Sequence, residues 1–146
     1  QSGYIEAIGG KLARDRSRLH AGEIAFLCDV NVKHGSHYII HDRSVEEQAM
    51  DIEAQDGDAV IVTGFDTGMP PTVERVKACK DKIALPVFLG SGISKENARE
   101  LLKCADGAIV GSYFKEEGNW KKPIDVNRTL TFMKEVEKLR SGGTYE

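Results

Sequence analysis

PVFLGSGISKENARELLKCADGAIVGS, residues 86–112, decides how the rest of the chain is read. Val87-Phe88-Leu89 is a short apolar run that stops at Gly90-Ser91-Gly92, and Ala108-Ile109-Val110 is a second that stops at Gly111-Ser112. Runs of this length bounded by turn residues read as strands buried on both faces. Between them Ser94 can cap a helix with its core over Asn97 to Cys104 and its apolar face at Leu101 and Leu102. Two strands joined by one helix pair in parallel through a right-handed crossover, so both glycine-serine ends fall on the same side of the sheet. Glycine turns let bare N–H groups approach a ligand. Gly90, Ser91, Gly92, Gly111 and Ser112 therefore form a candidate anion seat of backbone donors and two hydroxyls. In a (β/α)8 barrel the loops after the seventh and eighth strands are the usual phosphate site. The plainer reading is that strands need small residues where helices begin. A side chain at Gly92 is expected to block approach of the backbone to a ligand.

The same unit repeats upstream. Ile24-Ala25-Phe26-Leu27-Cys28 and Ala59 to Thr63 are unbroken apolar runs, expected to be strands buried on both faces. Ser44 with Glu47 is a capping box ahead of Val45, Ala49 and Ile52, and this helix should stop near Asp56-Gly57. Thr72 caps a helix that uses Val73, Val76 and Cys79, after the Gly/Pro-rich loop Asp66-Thr67-Gly68-Met69-Pro70-Pro71. Ahead of all this lies a helix over Lys11 to His20, with Leu12, Arg16 and Leu19 on one face and Arg14 and Arg18 toward solvent. At the other end Asp125 caps a helix with Leu130, Met133, Val136 and Leu139 facing inward, and residues 141–146 read as a frayed tail.

The order is one helix followed by four strand–helix units, an α/β chain with a parallel sheet. Length alone admits a flavodoxin-like sheet. Doubly wound nucleotide-binding sheets, however, place their glycine signal after the first strand, whereas here the strongest signals sit at the last two. The pattern favours the C-terminal half, strands five to eight, of a (β/α)8 TIM barrel spanning residues 1–140. Four such strands alone leave the interior face and two edges uncovered. The expectation is a longer protein that supplies the missing N-terminal half of the barrel, or else a partner segment that does.

The chain has 146 residues, 40% hydrophobic and 29% charged, with net charge −3, which suits one globular domain and gives no global reason to bind nucleic acid or an anionic membrane. No apolar run approaches the roughly 20 residues of a membrane span. Cys28, Cys79 and Cys104 are an odd set without metal-type spacing and read as buried free thiols in a reducing compartment, cytoplasm or organelle matrix. The chain begins Gln1-Ser2-Gly3 without Met, so the lack of a targeting segment carries no information.

Several residue sets resemble those of the BtpA/SgcQ family of TIM-barrel proteins, named partly for a protein linked to photosystem I biogenesis. They are Asp29-Val30-Asn31-Val32-Lys33-His34, Asp42-Arg43-Ser44, Thr63-Gly64 with Thr67-Gly68 and Pro70, Gly90-Ser91-Gly92 with Asn97, Asp106 to Ser112, Lys115, and Pro123-Ile124-Asp125. Gly3 to Gly10 is similar to the family's loop after strand four. The resemblance spans nearly the whole chain and implies a full barrel of which strands five to eight are present. It leaves the reaction open. Asn31 stands where the family often has His, and His37 to His41 lengthen the following loop.

Lys33 is the sharpest catalytic candidate, because it follows the first strand of the chain on the face where barrel enzymes work. A buried amine can lose its proton and act as base or Schiff-base former. Asp29 and His34 are its candidate partners, as metal ligand or as acid and base; the plainer reading pairs Lys33 with Asp29 or Asp42 in a structural salt bridge. Thr63, Thr67 and Gly68 end a strand and begin its loop, where they can touch substrate or simply make the turn. Lys115 can neutralise a bound phosphate, Lys121 and Lys122 read as solvated, and Trp120 suits a packing plug as well as a ligand platform. His34, His37 and His41 share one loop but lack zinc spacing, so no metal site is assigned. No Walker motif is present. The expected ligand is a small phosphorylated metabolite, for a lyase, isomerase or phospho-sugar/nucleoside-processing enzyme; the competing class is a non-catalytic assembly or stability factor. A homo-oligomer is compatible with either.

Overall fold

Ala59–Thr63 carries no side chain larger than isoleucine, is buried along its whole length, and organises everything around it. The computed structural model of the protein describes residues 8–31, 42–64 and 68–142. They form α1 (Gly9–Arg18), β1 (Leu27–Val30), α2 (Val45–Ala54), β2 (Ala59–Thr63), α3 (Val73–Lys80), β3 (Val87–Gly90), α4 (Lys95–Leu101), β4 (Gly107–Ile109) and α5 (Val126–Arg140). Two short 3₁₀ turns, Ser112–Phe114 and Glu116–Gly118, lie between β4 and α5.

The four strands are parallel and ordered β1-β2-β3-β4. Right-handed crossovers that always step the same way put every connecting helix on one face. That is the wall of a barrel; a flavodoxin-like sheet reverses its strand order and is covered on both faces. The helix-facing row holds Val30, Val60, Val62, Val87 and Leu89, each at most 1% exposed, packed against Ala49, Val76, Cys79, Ala98, Leu101, Phe132 and Val136. Burying each such aliphatic side chain stabilises the fold by about 1.5–3 kcal/mol. The opposite face, toward a barrel interior, carries Asp29, Ile61, Phe88 and Gly107 in one register row and Thr63, Gly90 and Ile109 in the next.

Local signals place these elements. Ser44 accepts the Glu47 N–H at 3.2 Å while Glu47 takes the Ser44 N–H at 2.8 Å, so the capping box forms. Thr72 accepts from the Arg75 N–H and Asp125 from the Arg128 N–H, which opens α3 and α5 where the sequence says. Asp106 ties three elements: it accepts the Val87 N–H at 2.7 Å and pairs with Lys80 Nζ at 2.6 Å. Partial burial pushes the Asp106 carboxyl up, but the Lys80 ammonium and the Val87 N–H outweigh this and hold it below its ordinary value.

Several expectations need correction. β1 covers Leu27–Val30 instead of Ile24 to Cys28, and it is not buried on both faces: Ile24 is 56% exposed, Leu27 43%, and only Val30 is buried. It is an edge strand, and Phe26 before it donates its N–H to the Asp58 carboxylate. α1 buries no residue, with Leu12 and Leu19 exposed. Arg16 holds it instead: the guanidinium pairs with Asp58, donates to the Asp56 carbonyl at 3.0 Å and lies 4.2 Å over the Phe26 ring. α4 starts and ends earlier than Asn97 to Cys104, and β4 is Gly107–Ile109, leaving Val110 beyond the ladder. In α5 Leu130 is 55% exposed and Phe132 takes the inward place, its ring 5.3 Å from Phe114 and 5.5 Å from Tyr113. Cys79 is buried, but Cys28 and Cys104 are only half-buried. Trp120 is 65% exposed with Lys121 over its ring, so it is no plug.

Candidate functional site

The ends of β3 and β4 meet in a cleft of about 400 Å³. Ser91, Gly92, Gly111 and Ser112 all line it, together with Gly68 from the β2 loop and Arg128 from α5. This volume lies within the range of small-ligand sites. Gly90 sits just below it in the strand, where Thr63 and Ile61 leave no room: a Cβ on Gly90 would stand 2.7 and 2.8 Å from their methyl groups.

The β3 turn is unusual in backbone. Ser91 at φ +70 and Gly92 at φ +66 are consecutive left-handed residues, and the serine conformation costs on the order of 1 kcal/mol. Asn97 fixes the turn, donating through Nδ2 to the Gly92 carbonyl at 2.9 Å and accepting the Ser94 N–H at 2.9 Å. Successive left-handed and turn residues of this kind cup N–H groups toward an anion. Gly92 also has a second duty. A Cβ there would lie 2.2 Å from Pro70 N and 2.4 Å from the Met69 carbonyl carbon, so the β2 and β3 loops meet backbone to backbone. A side chain at Gly92 therefore collides with the Met69-Pro70 backbone, whatever it does to a ligand. Gly111 differs: its Cβ would meet nothing within 4 Å.

Asp29 stands on the interior face of β1, exposed, in register with Ile61. Lys33, His34 and Thr67 lie outside the described residues, as do His37 and His41. Thr63 is 4% exposed, and its Oγ1 has no hydrogen-bond partner among the described residues. Lys115 is half-buried beside Ile124 and does not line the cleft. No group of three or more potential metal ligands occurs among the described residues.

Arg128 is the residue the sequence reading missed. Its Nε donates to the Tyr113 carbonyl at 2.9 Å and its guanidinium lies 4.6 Å over the Tyr113 ring. The signal was available in the capping pattern: α2, α3 and α4 each carry a glutamate in the first turn, whereas α5 carries none there. Nearby Glu96 has its carboxyl held below the ordinary value by the Ser94 hydroxyl and its own N–H, with Arg128 adding to the effect.

A sequence model of the BtpA family matches residues 1–138. An uncharacterised mitochondrial protein of Caenorhabditis elegans is 42% identical over 138 residues, covering 94% of this chain and 50% of the relative. The photosystem I biogenesis protein BtpA of Synechocystis is 34% identical over 142 residues, covering 95% of this chain and 48% of the relative. The chain thus spans about half the length of these curated relatives. Among solved structures, (S)-3-O-geranylgeranylglyceryl phosphate synthase from Thermoplasma acidophilum, in complex with sn-glycerol-1-phosphate, superposes with TM-score 0.59 at 18% identity, over 96% of this chain and 60% of that one. Thiamine phosphate pyrophosphorylase from Pyrococcus furiosus gives TM-score 0.55 at 19% identity, over 90% of this chain and 75% of that one. At these identities the likeness shows the fold alone, a (β/α)8-barrel wall. Nearly full-length agreement with the family model and with the curated relatives places the chain in the BtpA family.

Proposed function

We propose that the chain binds the phosphate group of a small phosphorylated metabolite in the cleft between the β3 and β4 loops. The carrying observation is that Ser91, Gly92, Gly111 and Ser112, from two separate turns, line one cavity. Gly90 supports that seat from inside the strand, Gly68 and Thr63 belong to the same end of the sheet, and Thr67 adjoins Gly68 in sequence. On this reading Asp29, with Lys33 and His34, which follow β1 in sequence, acts on the remainder of the ligand as a lyase, isomerase or phospho-sugar/nucleoside-processing centre. Two of the solved neighbours, the glyceryl phosphate synthase and the thiamine phosphate pyrophosphorylase, have phosphorylated compounds in their titles, which agrees with this ligand class. The missing half of the barrel would come from the rest of a longer protein or from a second copy.

The test is calorimetry of the full chain with inorganic phosphate and a panel of phosphorylated metabolites. Wild type should bind, and Gly111→Val, which fills the cleft without touching the scaffold, should lose at least tenfold in affinity at unchanged thermal midpoint. Folded wild type that binds none of the panel refutes the reading. Lys33→Met should abolish turnover while phosphate affinity persists; unchanged turnover returns Lys33 to a structural role. The name of the Synechocystis relative favours a second reading, an assembly or stability factor without catalysis. That reading requires a co-purifying partner whose capture is indifferent to Ser91 and Ser112.

A further inference from the structure

Among the described residues that line the cleft, Arg128 carries the one formal charge and none is a carboxylate, although the chain as a whole carries net charge −3. An arginine in the first turn of a helix also opposes the helix dipole, which favours acids there. Two contacts hold it in place. Nε is committed to the Tyr113 carbonyl at 2.9 Å, and the guanidinium rests on the Tyr113 ring at 4.6 Å. Gly118, at φ +70 and also lining the cleft, covers Nη2 with no side chain: even an added Cβ would be 3.7 Å away. With Nε engaged, the two Nη groups remain as donors, and their spacing matches two oxygens of one anion.

Resting on the phosphate reading above, we propose that Arg128 is the cation of the seat. Its guanidinium, braced by Tyr113, takes two oxygens of a terminal phosphate monoester while the Ser91-Gly92 and Gly111-Ser112 turns take the rest. The ligand class follows from the geometry: a terminal monoester presents three free oxygens and gains its second negative charge near pH 6, whereas a diester offers two oxygens and a single charge.

The experiment titrates inorganic phosphate and a simple alkyl phosphate monoester into the full chain by calorimetry. Arg128→Gln should weaken both by about tenfold or more, and Arg128→Lys should recover only part of that, because the charge returns without the fork. Monoester affinity should rise as pH passes from 5 to 7. As a measurement needing no variant, the Arg128 side-chain resonances of isotopically labelled wild type should shift on adding phosphate. If Arg128→Gln is folded and binds like wild type while Gly111→Val does not bind, the seat stands and the assignment of Arg128 is overturned. If wild type binds no phosphate, the seat fails and Arg128 with it.

Discussion

Gly92→Ala is the substitution whose consequence the structure fixes most tightly. The backbone at Gly92 is left-handed at φ +66, which disfavours any L side chain by about 1–2 kcal/mol. The added methyl also has nowhere to go: its position is 2.2 Å from Pro70 N, 2.4 Å from Met69 C and 2.7 Å from the Gly68 carbonyl oxygen. All three obstacles are backbone, so no rotamer change relieves them and the β2 loop must move. Overpacking of this kind costs roughly 1–3 kcal/mol, for a total of about 2–5 kcal/mol. At about 2–4 °C per kcal/mol for a domain near this size or larger, the thermal midpoint should fall by roughly 5–15 °C. Gly111→Ala is the matched control, because its methyl meets nothing within 4 Å and its φ of −119 suits alanine. It should stay within about 0.5 kcal/mol of wild type. Thermal denaturation of the full chain followed by circular dichroism separates the two. A Gly92→Ala protein melting with wild type, or a Gly111→Ala protein falling as far, would refute the loop contact and the reasoning built on it.

Two further outcomes follow from the titrating groups. The Asp106 carboxyl is held below its unfolded value of 3.8, so its contribution is present above that pH and is lost as pH falls through the lower folded value; Asp106→Asn should lower stability at neutral pH and flatten the acid limb of the stability curve, read by denaturant unfolding at pH 2–7. Burial pushes the Cys79 thiol up from 9.0 to about 11, so the folded state keeps its proton where the unfolded state loses it. Stability should therefore decline as pH rises from 9 to 11, Cys79→Ala should remove that slope, and Cys79 should be the last of the three thiols to react with iodoacetamide.

What the sequence made legible is what short-range patterns encode. The capping box at Ser44, the apolar run Ala59–Thr63 and the glycine end of β3 each carry their meaning within a few residues, and the structure forms each where the sequence puts it. The failures share a cause. Ile24 to Cys28 looks like a buried strand because it is apolar, yet whether an apolar run is central or at an edge depends on which strands flank it. Strand order is not a local property. Arg16 was read as one position on an apolar stripe, whereas its contacts with Asp58 and Phe26 join residues tens of positions apart. Phe132 displaced Leu130 because Tyr113 and Phe114, from the turn after β4, form a ring cluster that selects an aromatic partner. For Arg128 the local pattern shows only that α5 lacks the first-turn glutamate of α2, α3 and α4; the Tyr113 contact that holds its guanidinium comes from the turn after β4 and is not a local property.

Asp29 and the residues assigned to the anion lie at opposite sides of the sheet. Asp29 is on β1, while the cleft is at β3 and β4, and strands about 4.8 Å apart place β1 about 14 Å from β4 along the sheet. A concave wall shortens that span without abolishing it. A ligand anchored at Arg128 and acted on at Asp29 must therefore be extended, and on its way it crosses β2 at Thr63. There the structure supplies a hydroxyl that is 4% exposed, on the interior face, and without a hydrogen-bond partner among the described residues. Leaving such a group unsatisfied costs about 1–3 kcal/mol, which a hydroxyl or carbonyl of the ligand would offset.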